Sequence, residues 1–167
     1  FLGNYVKVFI ISFTNLLDQI VQRLSTLFLY ILPLKSSIPF GVYLFYKYPF
    51  LKVLEDVTYP VEMIEKSLPL GGVLLFLILY AGLVRNPQVP YFIRYNACQA
   101  LLIDIALIII SYLFQILPLD QSGFIVLILG SIVFLFILCI FIYSITQCIY
   151  GVEPEIPFIS NSVRMQI

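Results

Sequence analysis

The sequence predicts an all-α, polytopic integral membrane protein: a single membrane domain over residues 1–167, with four transmembrane helices and amphipathic interfacial helices beside them. Three observations carry that reading. Of the 167 residues, 62% are hydrophobic and 11% charged, against roughly 45–50% and roughly 25% in soluble domains. Mean hydropathy is +1.06. Uncharged runs reach the length of a bilayer crossing, and the segments between them sort into apolar and polar helical faces. A water-soluble fold is excluded.

The elements follow in order. Residues 1–23 read as an N-terminal amphipathic helix that runs into the first span. Leu16, Leu17, Ile20, Val21, Leu24, Leu27 and Phe28 fill one arc of about 140°, with Asn15, Asp18, Gln19, Gln22, Arg23, Ser25 and Thr26 opposite. Two occupants fit the apolar arc, the membrane interface and a partner protein. Residues 24–46 form a short or broken first span, because Pro33, Lys35 and Pro39 interrupt an otherwise apolar stretch. Residues 47–66 are a charged connection. Its amphipathic part sets Phe50, Val53, Leu54 and Val57 against Lys52, Glu55 and Asp56, and Pro60 is expected to break or kink it. A solvated helix at the membrane edge fits this pattern.

Residues 67–84 carry no charge, and as continuous helix they would cover about 27 Å of a hydrocarbon core of about 30 Å. They are the second span, with Gly71-Gly72 allowing its start to approach a neighbour. Residues 95–117 form the third span, interrupted by Asp104 alone, and residues 123–150 the fourth. A turn at Pro118-Leu119-Asp120 joins them, and residues 151–167 are a C-terminal tail. Trp is absent, so the interface belt falls to Tyr80, Tyr91, Tyr95 and Tyr150.

Several chemistries lack their residues. Nine Lys/Arg balance nine Asp/Glu, so no cationic surface exists for nucleic acid to neutralise. There is no His and no C-x-x-C, which removes Cys/His zinc sites and thioredoxin-type redox pairs. Cys139 and Cys148, nine residues apart, point to opposite sides of one helix. Gly71-Gly72 lacks the Lys-Ser/Thr of a P-loop, and no G-x-S-x-G elbow occurs. No catalytic residues, metal ligands or cofactor are assigned. The chain begins at Phe1 without Met, which leaves room for a targeting peptide ahead of it.

The third span carries the informative chemistry. Ala97, Ala100, Asp104, Ser111 and Gln115 are spaced by three, four, seven and four, one stripe of small and polar side chains on a Leu/Ile helix. A carboxylate at the bilayer centre costs on the order of 2.5–3.5 kcal/mol on insertion scales, so the stripe is expected to face helices or water. Two roles fit: the lining of a conduit or proton-coupled site, or a structural group that fastens helices together. Ser144 and Gln147 on the fourth span are candidate donors to Asp104.

Two segments, LYAGLVRNPQVPYFIRYNACQALLID (79–104) and YSITQCIYGVEPEIPFIS (143–160), carry a resemblance. Its specific parts are Arg85-Asn86, Arg94-x-Asn96-x-x-Gln99-Ala100 continuing to Asp104, and Tyr143-Ser144-x-x-Gln147 leading to Gly151-x-x-Pro154-x-Ile156-Pro157. They resemble the twenty-kilodalton subunit family of the translocon at the inner envelope membrane of chloroplasts, the Tic complex, and its cyanobacterial relatives. Tyr95 stands where relatives often have Phe, and Val163-Arg164 replaces small residues near the tail's end. The resemblance implies a multi-pass protein of the plastid inner envelope membrane that takes part in preprotein import. Implied partners are other translocon subunits in a large hetero-oligomeric complex, preproteins in transit and the lipid bilayer, and the family brings no catalytic residues. Four spans supply too little wall to enclose a polypeptide, so further chains are required. A small proton-coupled solute carrier built around Asp104 is the competing function, although the paired halves of carriers are not seen. A non-conducting structural subunit is another. Lys7, Arg23, Arg85, Arg94 and Arg164 against Lys35, Lys47, Lys52 and Lys66 weakly favour both termini and the Arg85–Arg94 connection on the stromal side.

Overall fold

A computed structural model describes residues 2–116 and 123–167, apart from the side chains of residues 2–6, 8 and 9. Among the described residues all regular structure is helical. Eight α-helices follow in order: α1 Leu2–Leu29, α2 Ile31–Ser37, α3 Val42–Lys47, α4 Val53–Ser67, α5 Gly72–Leu79, α6 Tyr91–Ile116, α7 Phe124–Tyr150 and α8 Ile159–Gln166. Short 3₁₀ turns at Ile38–Gly41 and Pro49–Lys52 link α2 to α3 and α3 to α4, and a π-turn at Tyr80–Val84 ends α5. The predicted turn at Pro118-Leu119-Asp120 lies outside the described residues.

Among the described residues three helical stretches are long and apolar enough to cross a membrane: Ile10–Lys47, Tyr91–Ile116 and Phe124–Tyr150. A fourth crossing is reached when Pro49–Ser67 and Gly72–Val84, which meet at 99°, are taken together. The first crossing is broken where its prolines dictate. Pro33 cannot donate to the carbonyl of Leu29 and its ring crowds it, and there α1 ends, with Tyr30 as the joint. Pro39 sits in the 3₁₀ turn that follows. This turn reaches α7 because residue 130 is glycine: a Cβ there would stand 3.0 Å from the Phe40 carbonyl oxygen. Small residues that admit such close approach are the usual device of membrane helix pairs.

The second span differs from the expectation of continuous helix over 67–84. Leu68 is extended, Leu70 and Gly71 have φ of 67° and 52°, and helix begins at Gly72. Gly72–Val84 therefore covers about 20 Å. Gly71 serves the turn, since a Cβ on it would meet nothing closer than 3.7 Å. Helix α4 runs through Pro60 to Ser67 without the expected break.

The faces of α1 and α4 also depart from soluble-protein logic. On α1, Leu16, Leu17, Ile20, Val21, Leu24 and Phe28 are exposed, whereas Arg23 is half-buried and Thr26 fully buried against the bundle. On α4, Phe50 just ahead of it, Val53 and Val57 face outward, while Thr58 and Val61 are buried and Glu65 is half-buried. In a bilayer the apolar arc meets lipid and the polar edge must find protein partners. The edge of α4 that carries Thr58 and Val61 is thus docked on the bundle, while Lys52, Glu55 and Asp56, the polar face expected to be solvated, are exposed.

Candidate functional site

Two polar regions stand out, one at each level of the bundle. The first lies at the end where α6 begins and α7 stops. Tyr30, the joint of the broken span, donates from its hydroxyl to Asn96 Oδ1 at 2.9 Å and accepts from Gln99 Nε2 at 3.2 Å. Gln99 Nε2 also donates to the Pro154 carbonyl at 3.1 Å, which takes a second bond from the Tyr95 hydroxyl at 3.2 Å. Ser160 donates to Gln99 Oε1 at 3.2 Å and accepts from the Ile156 N–H at 2.7 Å. Asn96 Nδ2 returns to the Phe92 carbonyl at 2.7 Å, and Cys148 Sγ lies 3.4 Å from Asn96 Oδ1. Tyr30, Tyr95, Asn96 and Gln99 have no exposed surface. A polar network so fully paired in an apolar interior holds its elements in one arrangement. Here it ties the broken span, α6, α7 and the tail together.

Arginines close the same end. Arg94 donates to the Val84 carbonyl at 3.0 Å, left free by the π-turn, and to the Ile167 carbonyl at 3.3 Å. Arg85 stands over the Tyr80 ring at 6.0 Å, and Asn86 Oδ1 accepts from the Gln88 N–H at 3.0 Å to shape the α5–α6 connection. Arg164 bonds Glu155 at 2.8 Å and covers the Tyr95 ring at 6.0 Å. The Glu155 carboxylate holds its guanidinium above the ordinary value. Helix α7 ends with Gly151 at φ 75°, its N–H on the Cys148 carbonyl and that of Val152 on the Gln147 carbonyl. This left-handed cap suits glycine. Arg23 completes it, donating to the Ile149 carbonyl at 2.9 Å.

The second region surrounds Lys35. Lys35 of α2 forms an ion pair with Glu65 of α4, and their side chains are 27% and 16% exposed. Lys35, Glu65 and Ser36 are near enough to act electrostatically on the Asp104 carboxyl. Asp104 is 7% exposed and its Oδ1 has no hydrogen-bond partner among the described residues. Two clefts open from this cluster. One, of about 370 Å³, is lined by Lys35, Ser36, Pro39, Ser111, Tyr112 and Gln115 among others. The other, of about 470 Å³, lies between α2 and α4 and is lined by Lys35, Pro39, Glu55, Asp56, Tyr59 and Glu62 among others.

The sequence-derived residues therefore divide between the regions. Asn96, Gln99 and Pro154 join the network, with Ser144 fully buried beside Tyr30 but without a hydrogen bond from its Oγ among the described residues. Arg85, Asn86, Arg94 and Gly151 shape the chain turns at that end. Tyr143 reaches the Glu155 carbonyl at 3.5 Å, Gln147 contributes its carbonyl to the α7 cap, and Pro157 is exposed ahead of α8. Of the stripe, Ala97, Ala100 and Asp104 are buried, and Ser111 and Gln115 line the cleft. The polar neighbours found for Asp104 come from the broken first span, whereas Ser144 and Gln147 of the fourth were the expected donors. Tyr95 is buried rather than part of an interface belt. Tyr30, Ser160 and Glu65 were missed; nothing in the residue types separates them from ordinary tyrosines, serines and surface acids. No group of three or more His, Cys, Asp or Glu able to hold a metal occurs among the described residues.

Comparison with known proteins places the chain in a family. The profile of the family described as Chloroplast import apparatus Tic20-like matches residues 7–163. Protein TIC 20-v, chloroplastic, of Arabidopsis thaliana is 31% identical over 148 residues, covering 87% of this chain and 71% of that protein. The Tic20 family protein of Synechocystis is 30% identical over 150 residues, covering 87% and 92%. The Tic20 family protein Ycf60 of Gracilaria tenuistipitata var. liui is 33% identical over 156 residues, covering 89% and 76%. With a match over nearly its whole length, and with Asn96, Gln99, Pro154 and Gly151 each given a structural task, the chain belongs to the Tic20-like family of the chloroplast protein-import translocon.

Proposed function

We propose that this protein is a membrane-embedded, non-enzymatic subunit of the import translocon in the plastid inner envelope membrane, and that it contributes the polar groove beside α2 and α6 to the path of the preprotein. The observation that carries this reading is the groove itself. Lys35, Ser36, Ser111 and Gln115 line one cleft inside the apolar stretches of the broken span and α6. A polypeptide in transit presents unpaired backbone amides and carbonyls, which need polar partners wherever water is scarce. The outward faces supply the rest of the argument: Ile109 and Leu113 on α6 and Phe136 and Ile142 on α7 are more than half exposed, and they suit lipid or the further subunits needed to complete a wall. The end that gathers Arg23, Arg85, Arg94 and Arg164 then faces the stroma. Crosslinking of a precursor arrested during import, followed by recovery of this chain in the adduct and in the large complex, tests the proposal. Recovery only in a small complex, without precursor contact, would remove it.

A non-conducting structural subunit is the second reading, favoured by the completeness of the Tyr30–Asn96–Gln99–Ser160 network. That reading expects assembly contacts but no precursor adduct at Ser111 or Gln115.

A further inference from the structure

The segment Gly72–Val84 is held at both ends by polar groups. The Val84 carbonyl accepts from Arg94 at 3.0 Å. At the other end a Cβ on Gly72 would stand 3.3 Å from Glu65 Oε1, on the carboxylate that pairs with Lys35. The segment covers about 20 Å. Helix α6 gives the same measure, since Arg94 to Leu107 is also about 20 Å, and Leu107 lines the cleft that contains Lys35. The agreement sets α5 along the bundle axis, and α4, which meets it at 99°, lies across that axis.

Charge gathers where α4 crosses. Glu55, Asp56 and Glu62 line the cleft of about 470 Å³ together with Lys35, and Lys66 pairs with Glu62 at 2.6 Å. Lys52, Glu55 and Asp56 are exposed and form no ion pair among the described residues. Charges without partners are expensive in hydrocarbon, so water and headgroups must reach this level, although the core of a bilayer is about 30 Å thick. The other flank of α6 differs. There Leu107 lines a wholly apolar cleft of about 270 Å³ with Ala106, Ile110, Val133 and Phe136 among others. Farther from the arginine end, Ile132 and Ile125 of α7 are exposed as well, and the 27 residues of α7 cover about 40 Å. One level of the bundle is therefore ionic on one flank and apolar on the other.

The outward surface of α4 and the turn before it fits a lipid surface. An apolar stripe of Phe50, Val53 and Val57 runs beside the charged one, and Tyr46 and Tyr59 are exposed. That pairing is the pattern of a helix lying in a membrane interface, where tyrosine is also favoured. Lys47, Lys52 and Lys66 nearly balance Glu55, Asp56 and Glu62, which suits zwitterionic or uncharged headgroups.

We propose that this protein thins the bilayer on its α4–α5 flank, drawing lipid headgroups in to α4 and reducing the hydrocarbon there from about 30 Å to about 20 Å. The α6–α7 flank keeps the full thickness. A short span ending in fixed charges forces the lipid to adjust, because a bilayer deforms more readily than hydrocarbon accepts Glu55 and Asp56. The proposal goes beyond the reading of the groove and stands without it.

The test uses the purified full chain in phosphatidylcholine vesicles, with Cys139, the exposed native cysteine, replaced by Ala. A fluorophore is attached to Met63→Cys on α4 or to Phe136→Cys on α7, both exposed positions on opposite flanks of the same level. Cys98 and Cys148 are buried, and their failure to react shows that the labelled chain is folded. Each sample is quenched by phosphatidylcholine carrying a nitroxide either on its headgroup or at the end of an acyl chain. The headgroup quencher should be the stronger at 63 and the chain-end quencher at 136, with the ratio of the two differing by about threefold or more between the sites. Longer acyl chains should shift the ratio at 136 and leave that at 63 unchanged, because the headgroups follow α4. Stronger chain-end quenching at both sites would overturn the proposal, since α4 would then lie in hydrocarbon. Quenching by neither lipid at 63, the result of cover by another copy of the chain, would overturn it too.

Discussion

Replacing Gln99 by Leu removes the hub of the buried network while nearly preserving its volume. Three bonds go: to the Tyr30 hydroxyl, to the Pro154 carbonyl and from Ser160, at 3.2, 3.1 and 3.2 Å. Each partner keeps another bond, to Asn96, from Tyr95 and from Ile156 respectively. The loss is then the bonds themselves rather than a set of orphaned groups. At about 0.6 kcal/mol for an average side-chain bond inside a membrane protein, the variant loses about 2 kcal/mol, and for a chain of this size Tm falls by about 4–8 °C. Tyr30→Phe removes two bonds and should cost about 1 kcal/mol. One bond is common to the two variants, so the double variant should fall short of additivity by about 0.6 kcal/mol. Thermal exposure of Cys98 and Cys148, both buried, to a thiol-reactive dye in detergent micelles reads the transition, with Cys139 replaced by Ala. A Gln99→Leu shift under about 1 °C would refute the claim that this network holds the tail and the broken span together.

Other outcomes follow from single contacts. Gly151→Ala places a Cβ at φ 75° and 2.9 Å from Arg23 Nη2, and should cost about 1–2 kcal/mol in the same thermal assay. Lys35→Met strands the half-buried Glu65 carboxylate and should cost about 2–3 kcal/mol, most of it recovered when Glu65→Gln is added; a double-variant cycle in detergent reads the coupling. Asp104→Asn should preserve assembly of the large complex on native gels, and Asp104→Leu should weaken it by removing a buried polar group from the α6 stripe. Cysteines placed at positions 7 and 162 should label from the same side of the membrane, the stromal one.

How much could be read from the sequence depended on how each element uses the bilayer. The long runs that became α6 and α7 were legible because twenty or more apolar residues in lipid leave the backbone little choice but helix. The broken first span was legible from Pro33 and Pro39, whose missing donors fix where the helix gives way. The outward apolar arcs of α1 and α4 were legible as faces for the membrane or a partner, but the inward docking of Arg23 and Thr26, and of Thr58 and Glu65, was not, because it is set by contacts distant in sequence. Hydropathy also ran through Leu68–Gly71 as if helical, because an average over apolar residues passes over Pro69 and Gly71, the residues that mark the break. At the site, Asp104 announced itself by being a carboxylate in an apolar run. Tyr30 and Ser160 did not, since their importance comes from long-range contacts, sixty or more residues away in sequence, to Asn96 and Gln99.

The central claim, that the groove beside α2 and α6 conducts polypeptide, is tested most directly by position-resolved photo-crosslinking along one helix during arrested import. Ser111 and Gln115 line the cleft, while Ile109 and Leu113, at 54% and 52% exposure, face outward. Probes at 111 and 115 should capture precursor, and probes at 109 and 113 should capture lipid or other subunits. Precursor captured at 109 and 113, with none at 111 and 115, would contradict the account.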